Sequence, residues 1–226
     1  MPTKQKSPSA LRREQEKIQR KANILKIAEN IFIEKGYDGT YVEEIAEKSG
    51  FTKSTLYKYY PTKDELFLAV AAIAFEQFNF VIEQNVTKYP HLDSFMIFKE
   101  VLEEFIRKYP GYVFIMDSAK LRPLLINIIN KEINASKLTD NEKEFRKQQV
   151  ISQTFLFNST NEICKNLKTG KQIDTDLIAN MLSQIATSFM IELVRREQMT
   201  NQSSKETKIL LETFFRIFEI GVINYR

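Results

Sequence analysis

The stretch VEEIAEKSGFTKSTLYKY, residues Val42 to Tyr59, decides the fold. Its spacing predicts two short helices, Val42 to Lys48 and Lys53 to Tyr59, joined by a tight turn. Such helices pack at a steep angle only where a small residue lets them cross, and Ala46 stands at that point. Four residues later, Gly50 supplies a backbone position that tolerates positive φ. Leu56, six residues after the glycine, is the inward anchor of the second helix, with Ile45 and Phe51 as further core contacts. Together these are the marks of a helix-turn-helix.

The outer side of the second helix carries the chemistry. Thr52, Lys53, Ser54, Thr55, Tyr57, Lys58 and Tyr59 supply hydroxyls, ammonium groups and phenols, and no carboxylate. In a major groove these groups can donate to guanine or adenine edges and to phosphates, whereas the backbone repels a carboxylate. The next helix begins at Thr62-Lys63, so its N-terminal amides, the threonine hydroxyl and the Lys63 ammonium converge as a phosphate clamp. Tyr60 is read as packing inside the domain. Tyr57 and Tyr59 fit either packing or contact with DNA.

Outward from this motif, apolar residues recur at three and four, β-alternation is absent, and the whole chain reads as helix. Ile24, Ala28, Ile31 and Phe32 make one face of a first helix that starts after Pro8 and stops at Gly36. Capping-box spacing marks Thr40 with Glu43, Thr62 with Glu65, Thr139 with Glu142, and Ser203 with Glu206. Further helices are expected from Lys63 to about Thr87, Asp93 to Tyr109, after Pro110, Leu121 to Ala135, Asp140 to Lys168, Asp174 to Gln198 and Lys205 to Asn224. The expected division is a helix-turn-helix domain over 1–67, with 1–10 a basic arm, and a larger helical domain over 68–226.

Composition narrows the function. At 43% hydrophobic, the chain is too apolar for disorder. One histidine, His91, and one cysteine, Cys164, cannot build a structural zinc site or a disulfide framework, so neither metal nor cofactor is expected. Neither GxGxxG nor GxxxxGK[ST] occurs, which disfavours an enzyme. A polar, basic N-terminus without an apolar signal core, and an apolar run from Leu66 to Phe75 about half as long as a membrane span, lead to the expectation of a soluble cytoplasmic protein with no membrane partner. The net charge of +4 decides little. Its placement says more: Lys4 to Lys26 holds eight cations against two carboxylates, and Lys48 to Lys63 holds four against none.

The residues Ile24-Leu25, Ala28, Phe32, Lys35-Gly36-Tyr37, Thr40, Val42, Ile45-Ala46 and the run Ser49 to Tyr60, followed by Lys63-Asp64-Glu65-Leu66, resemble the N-terminal domain of TetR/AcrR-family transcriptional regulators. The resemblance covers roughly one fifth of the chain. It implies an all-helical homodimer in which a three-helix DNA-binding domain joins a larger ligand-binding and dimerisation domain. Most such proteins are repressors released from palindromic operators by a small molecule. Carried over by position, the family's base and phosphate contacts fall on Thr40, Thr52, Lys53, Ser54, Tyr57, Lys58, Tyr59 and Lys63. Ser54 stands where the family often has glycine, and Tyr41 where a second threonine is common. The basic stretch with Arg12, Arg13, Lys17, Arg20 and Lys21 exceeds the family minimum; it reaches DNA or is a solvated helix end.

The last helix confines its polar residues Lys205, Lys208, Glu212, Arg216 and Glu219 to one narrow stripe, so most of its circumference needs burial. With the helix before it, this points to an isologous four-helix interface formed by Leu182, Ile185, Phe189, Leu210, Phe214, Ile217 and Phe218; a central place in a monomer core is the alternative. Two-fold symmetry then predicts double-stranded DNA with an inverted repeat as partner. Phe78, Phe105, Tyr109, Tyr112 and Phe155, with Asn158, form either a cage for a small hydrophobic or amphipathic ligand or plain core. A DNA-bound helical interaction protein without a small-molecule ligand is the alternative function.

Overall fold

The computed structural model describes residues 7–165, 175–200 and 204–223. They form helices in the order α1 Pro8–Lys35, α2 Val42–Lys48, α3 Lys53–Tyr59, α4 Lys63–Lys88, α5 Ser94–Lys108, α6 Pro110–Met116, α7 Leu121–Ile133, α8 Asp140–Lys165, α9 Thr175–Thr200 and α10 Ser204–Ile223, with no strand among the described residues.

Local chemistry sets the ends. Ser7 caps α1 by accepting from the Ala10 amide, Pro8 opens the first turn, and Gly36 at φ 68° stops it. Thr62 Oγ1 accepts from the Glu65 amide at 3.0 Å. Thr139 and Glu142 close a complete capping box, with the side chain of each bonded to the other's amide at 3.1 and 2.8 Å. The box expected at Thr40 and Glu43 does not form. The cap of α2 is Tyr41, without a side-chain bond, and Thr40 is buried with its hydroxyl donating to the Gly36 carbonyl at 2.6 Å. Thr40 therefore ties the α1–α2 loop together rather than capping a helix. Ser203 lies outside the described residues.

Helix α4 is the spine. At about 1.5 Å per residue it runs roughly 39 Å. It is long and apolar enough to cross a membrane, yet most of its apolar residues from Leu66 to Ile82, Phe80 excepted, are packed in the interior, as in a core helix. Its first half shares one apolar cluster with α1 to α3, Leu121, Leu124, Ile128 and Phe145. Its second half shares another with α5, Val113, Met190, Ile191, Leu193, Val194, Leu211 and Phe215. The position 67/68 falls inside α4, between two residues of the first cluster.

Candidate nucleic-acid interface

The turn between α2 and α3 is built as its residues require. Gly50 takes φ 75°, which an L side chain rarely adopts. The Phe51 amide donates to the Ala46 carbonyl at 2.8 Å, and Ser49 Oγ donates to the carbonyls of Ile45 and Ala46. Ala46 is buried at the crossing and Leu56 anchors α3 in the core. From α1, the Asn23 amide donates to the Ser49 carbonyl at 3.2 Å, tying the first helix to the turn.

Helix α3 turns a polar face outward. Thr52 caps it, accepting from the Thr55 amide at 3.2 Å. Thr52, Lys53, Ser54, Tyr57 and Lys58 are exposed, while Tyr59 is half-buried and Tyr60 fully buried. Thr40 is absent from this surface, since it is buried beneath the α1–α2 loop. Lys63 also departs from the expected clamp. Its ammonium lies 4.2 Å from the Tyr37 ring centroid, and burial lowers its pKa despite nearby Asp38 and Asp64. The Thr62 hydroxyl is engaged by the Glu65 amide.

One feature of the face comes from α2. Glu43 pairs with Lys53, whose ammonium also sits 5.8 Å from the Tyr57 ring centroid. The hydrogen bond to Glu43 raises the Lys53 pKa, and the same bond lowers that of Glu43. The α3 sequence has no carboxylate, but its folded face borders one.

The helix-turn-helix is fastened to the rest of the molecule by pairings between distant segments that the sequence pattern did not indicate. The Tyr37 hydroxyl donates to Asp64, and the Lys120 ammonium is 3.0 Å from the same carboxylate. Glu65, expected to reach back to its own cap, instead accepts from the Thr139 hydroxyl at 2.9 Å and the Asn141 amide at 2.8 Å. Adjacent acids in the first turn of α4 thus hold the starts of α7 and α8. The Tyr112 hydroxyl donates to Glu29 of α1 at 2.6 Å. Two clefts of about 480 Å³ each open at this junction, one lined by Tyr37, Phe67, Phe114, Asp117 and Arg195, the other by Tyr59, Thr62, Glu65, Leu124 and Lys131.

Tyr60 is the odd member of the domain core. It is 0% exposed, and its hydroxyl has no hydrogen-bond partner among the described residues. Burial drives its pKa upward. A cavity of about 170 Å³, lined by Tyr60, Leu25, Ala72, Ile73 and Asn141, adjoins it.

In the larger part of the chain, Phe78 packs edge-on against Phe105 at 4.9 Å between centroids. Phe105 neighbours Tyr109, which stacks on Tyr112. Phe155 packs against the same apolar cluster, while Asn158 is exposed to solvent. On α9 and α10, Phe189 stacks on Phe214 at 4.1 Å and Leu210 is half-buried, whereas Ile185 is 48% and Ile217 66% exposed. The side chains of Leu182, Phe218 and Cys164 lie outside the described residues. Among the described residues, no three His, Cys, Asp or Glu side chains converge on a possible metal position.

Residues 24–70 match the model for bacterial regulatory proteins of the tetR family. Over 52 residues the chain is 36% identical to the HTH-type transcriptional activator FasR of Mycolicibacterium smegmatis, covering 23% of this chain and 24% of that protein. Over 97 residues it is 30% identical to IcaR of Staphylococcus aureus, the negative transcriptional regulator of the biofilm operon icaADBC, covering 39% of this chain and 51% of that one. The chain thus spans about a quarter and about half of these relatives. The fold is that of FadR from Bacillus subtilis, whose crystal structure is a complex with stearoyl-CoA, at a TM-score of 0.54 and 14% identity over 84% of this chain and 95% of that one. Residues 24–70 thus carry a helix-turn-helix similar to that of the tetR family of bacterial regulatory proteins, set on an all-helical body with the fold of FadR.

Proposed function

We propose that this chain regulates transcription in the cytoplasm by binding an inverted-repeat operator in double-stranded DNA as a homodimer. The observation that carries the reading is the face of α3. Thr52, Lys53, Ser54, Tyr57 and Lys58 stand exposed on a short helix held rigidly by Leu56 and the Gly50 turn. Base edges are read by Lys53, Ser54 and Tyr57, and phosphates by Thr52, Lys58 and the partly buried Tyr59 and Lys63. Thr40 acts by fixing the loop ahead of α2. The Lys53 ammonium leaves Glu43 when it engages DNA.

The dimer forms through α9 and α10. Leu177, Met181 and Ile185 recur every four residues on α9, and Ile209 and Ile217 are eight apart on α10; all five are exposed in the single chain. An isologous pairing of these stripes buries them, with Phe189, Phe214 and Leu210 supporting them from behind and Leu182 and Phe218 completing the surface. Repression is the mode proposed, with release by a small hydrophobic or amphipathic ligand at the aromatic group of Phe78, Phe105, Tyr109, Tyr112 and Phe155. The stearoyl-CoA bound by FadR makes acyl thioesters the first compounds to assay.

Selection of bound sequences from random duplex DNA tests the reading. An inverted repeat is expected, and Lys53→Ala or Tyr57→Ala lowers affinity for it by roughly 5- to 150-fold. Recovery of no common sequence, or unchanged affinity in both variants, refutes it.

A further inference from the structure

Helix α1 is much longer than its packing requires. From Ser7 to Asn23 every residue is exposed, and the first buried residue is Ile24. At about 1.5 Å per residue the exposed part extends roughly 24 Å. It carries Arg12, Arg13, Lys17, Arg20 and Lys21 against Glu14 and Glu16. Glu16 is shared by Arg12 at 3.1 Å and Arg20 at 4.0 Å. Arg13 and Lys17, one turn apart, have no carboxylate within ion-pair distance among the described residues.

The direction of this rod follows from its attachments. Its C-terminal half faces the body, where Glu29 meets Tyr112 and Ile33 packs on Gly111 so closely that a Cβ there would come within 2.6 Å. Its middle touches the helix-turn-helix, with Asn23 on the Ser49 carbonyl and the Lys21 ammonium 5.3 Å from the Tyr60 ring centroid. A continuous helix held to the body at one end and to the helix-turn-helix at its middle sends its other end past the helix-turn-helix, away from the body. Cationic charge therefore extends beyond the surface formed by α3.

We propose that the exposed half of α1 lies along the sugar–phosphate backbone outside the base pairs read by α3, with Arg13 and Lys17 on phosphates. This inference rests on the DNA-binding reading above. The charge complements a polyanion, and the exposed stretch ends beside Tyr60, the C-terminal cap of α3. Pairing with α1 of a second copy is the competing occupant. Leu11 and Ile18 are seven apart, but Glu14 and Gln15 stand where a seam needs an apolar residue, and the like charge of two such helices opposes it.

The test compares wild type with Arg13→Gln/Lys17→Gln on a selected operator by fluorescence anisotropy across a salt series. Loss of two phosphate contacts per protomer lowers the slope of log affinity against log salt by about 1.8 per protomer, and the affinity loss is equal when the flanking sequence is scrambled. On a duplex trimmed to the half-sites the two proteins converge. An unchanged slope on the long duplex, with operator preference intact, overturns the inference alone. A change in sedimentation instead of slope assigns α1 to a second copy and overturns it as well. Failure of the wild type to prefer any sequence overturns the DNA-binding reading itself.

Discussion

Replacing Tyr60 by phenylalanine removes one oxygen and leaves the ring where it is. That oxygen is buried without a partner among the described residues, on a side chain that is 0% exposed. An unsatisfied buried hydroxyl costs about 1–3 kcal/mol relative to its hydrated state. Against this, Phe leaves a void no larger than the lost oxygen, which costs a few tenths of a kcal/mol at about 24 cal/mol per Å³. The contact of Lys21 with the ring face does not involve the hydroxyl and persists. The balance favours the variant, so Tyr60→Phe should stabilise the protein by about 1 kcal/mol and raise its melting temperature by about 2–4 °C. Urea and thermal unfolding followed by circular dichroism at one fixed protein concentration measure this. A loss of stability of about 1 kcal/mol or more would refute the reasoning, because it would mean that the hydroxyl is engaged in the native state, most simply with a molecule in the adjoining cavity.

Three further outcomes are expected. Tyr37, Tyr60 and Tyr112 all have pKa values pushed up, first by burial and, for Tyr37 and Tyr112, also by hydrogen bonds to Asp64 and Glu29. The unfolded chain releases these protons near pH 10 while the native state keeps them, so their contribution is intact below pH 10 and is lost as pH rises above it; the urea midpoint should fall steeply between pH 9.5 and 11 (a range set by that reference value), less so in Tyr60→Phe. Gly111→Ala drives a Cβ to 2.6 Å from Ile33 Cγ2, forcing α1 off α6; a loss of about 1–3 kcal/mol in the same unfolding assay is expected, and no change would show that the contact yields easily. Ile217→Glu places a charge on a residue that is 66% exposed in the single chain, so the fold survives while the proposed dimer does not. Sedimentation at micromolar concentration should give a helical monomer; a dimer would exclude α10 from the interface.

Features governed by neighbours along the chain were legible from sequence. The bounds of α2 and α3 coincide with the residues expected, because Gly50 demands positive φ and Leu56 fixes which side of α3 turns inward. The box at Thr139 holds for the same reason, since cap and acid lie within one turn, and at Thr62 the threonine half holds while Glu65 turns elsewhere. Thr40 was misread because its spacing to Glu43 is right but its hydroxyl is nearer the end of α1 than the start of α2. Lys53 and Lys63 were correctly seen as cations, but their resting partners, Glu43 and Tyr37, come from other segments.

By itself, the sequence determined an all-helical chain, a helix-turn-helix over 42–59 and a second helix of that motif without carboxylates. Each follows from periodicity, capping and the conformational freedom of one glycine, which act over a few residues. Only the tertiary structure decided how that domain is held. Asp64 and Glu65 could have served their own helix, yet folding turned one to Tyr37 and Lys120 and the other to Thr139 and Asn141. It also left Tyr60 buried, its hydroxyl without a partner among the described residues, and half of α1 outside the globule. Burial and long-range pairing depend on which segments meet, and local pattern does not carry that information.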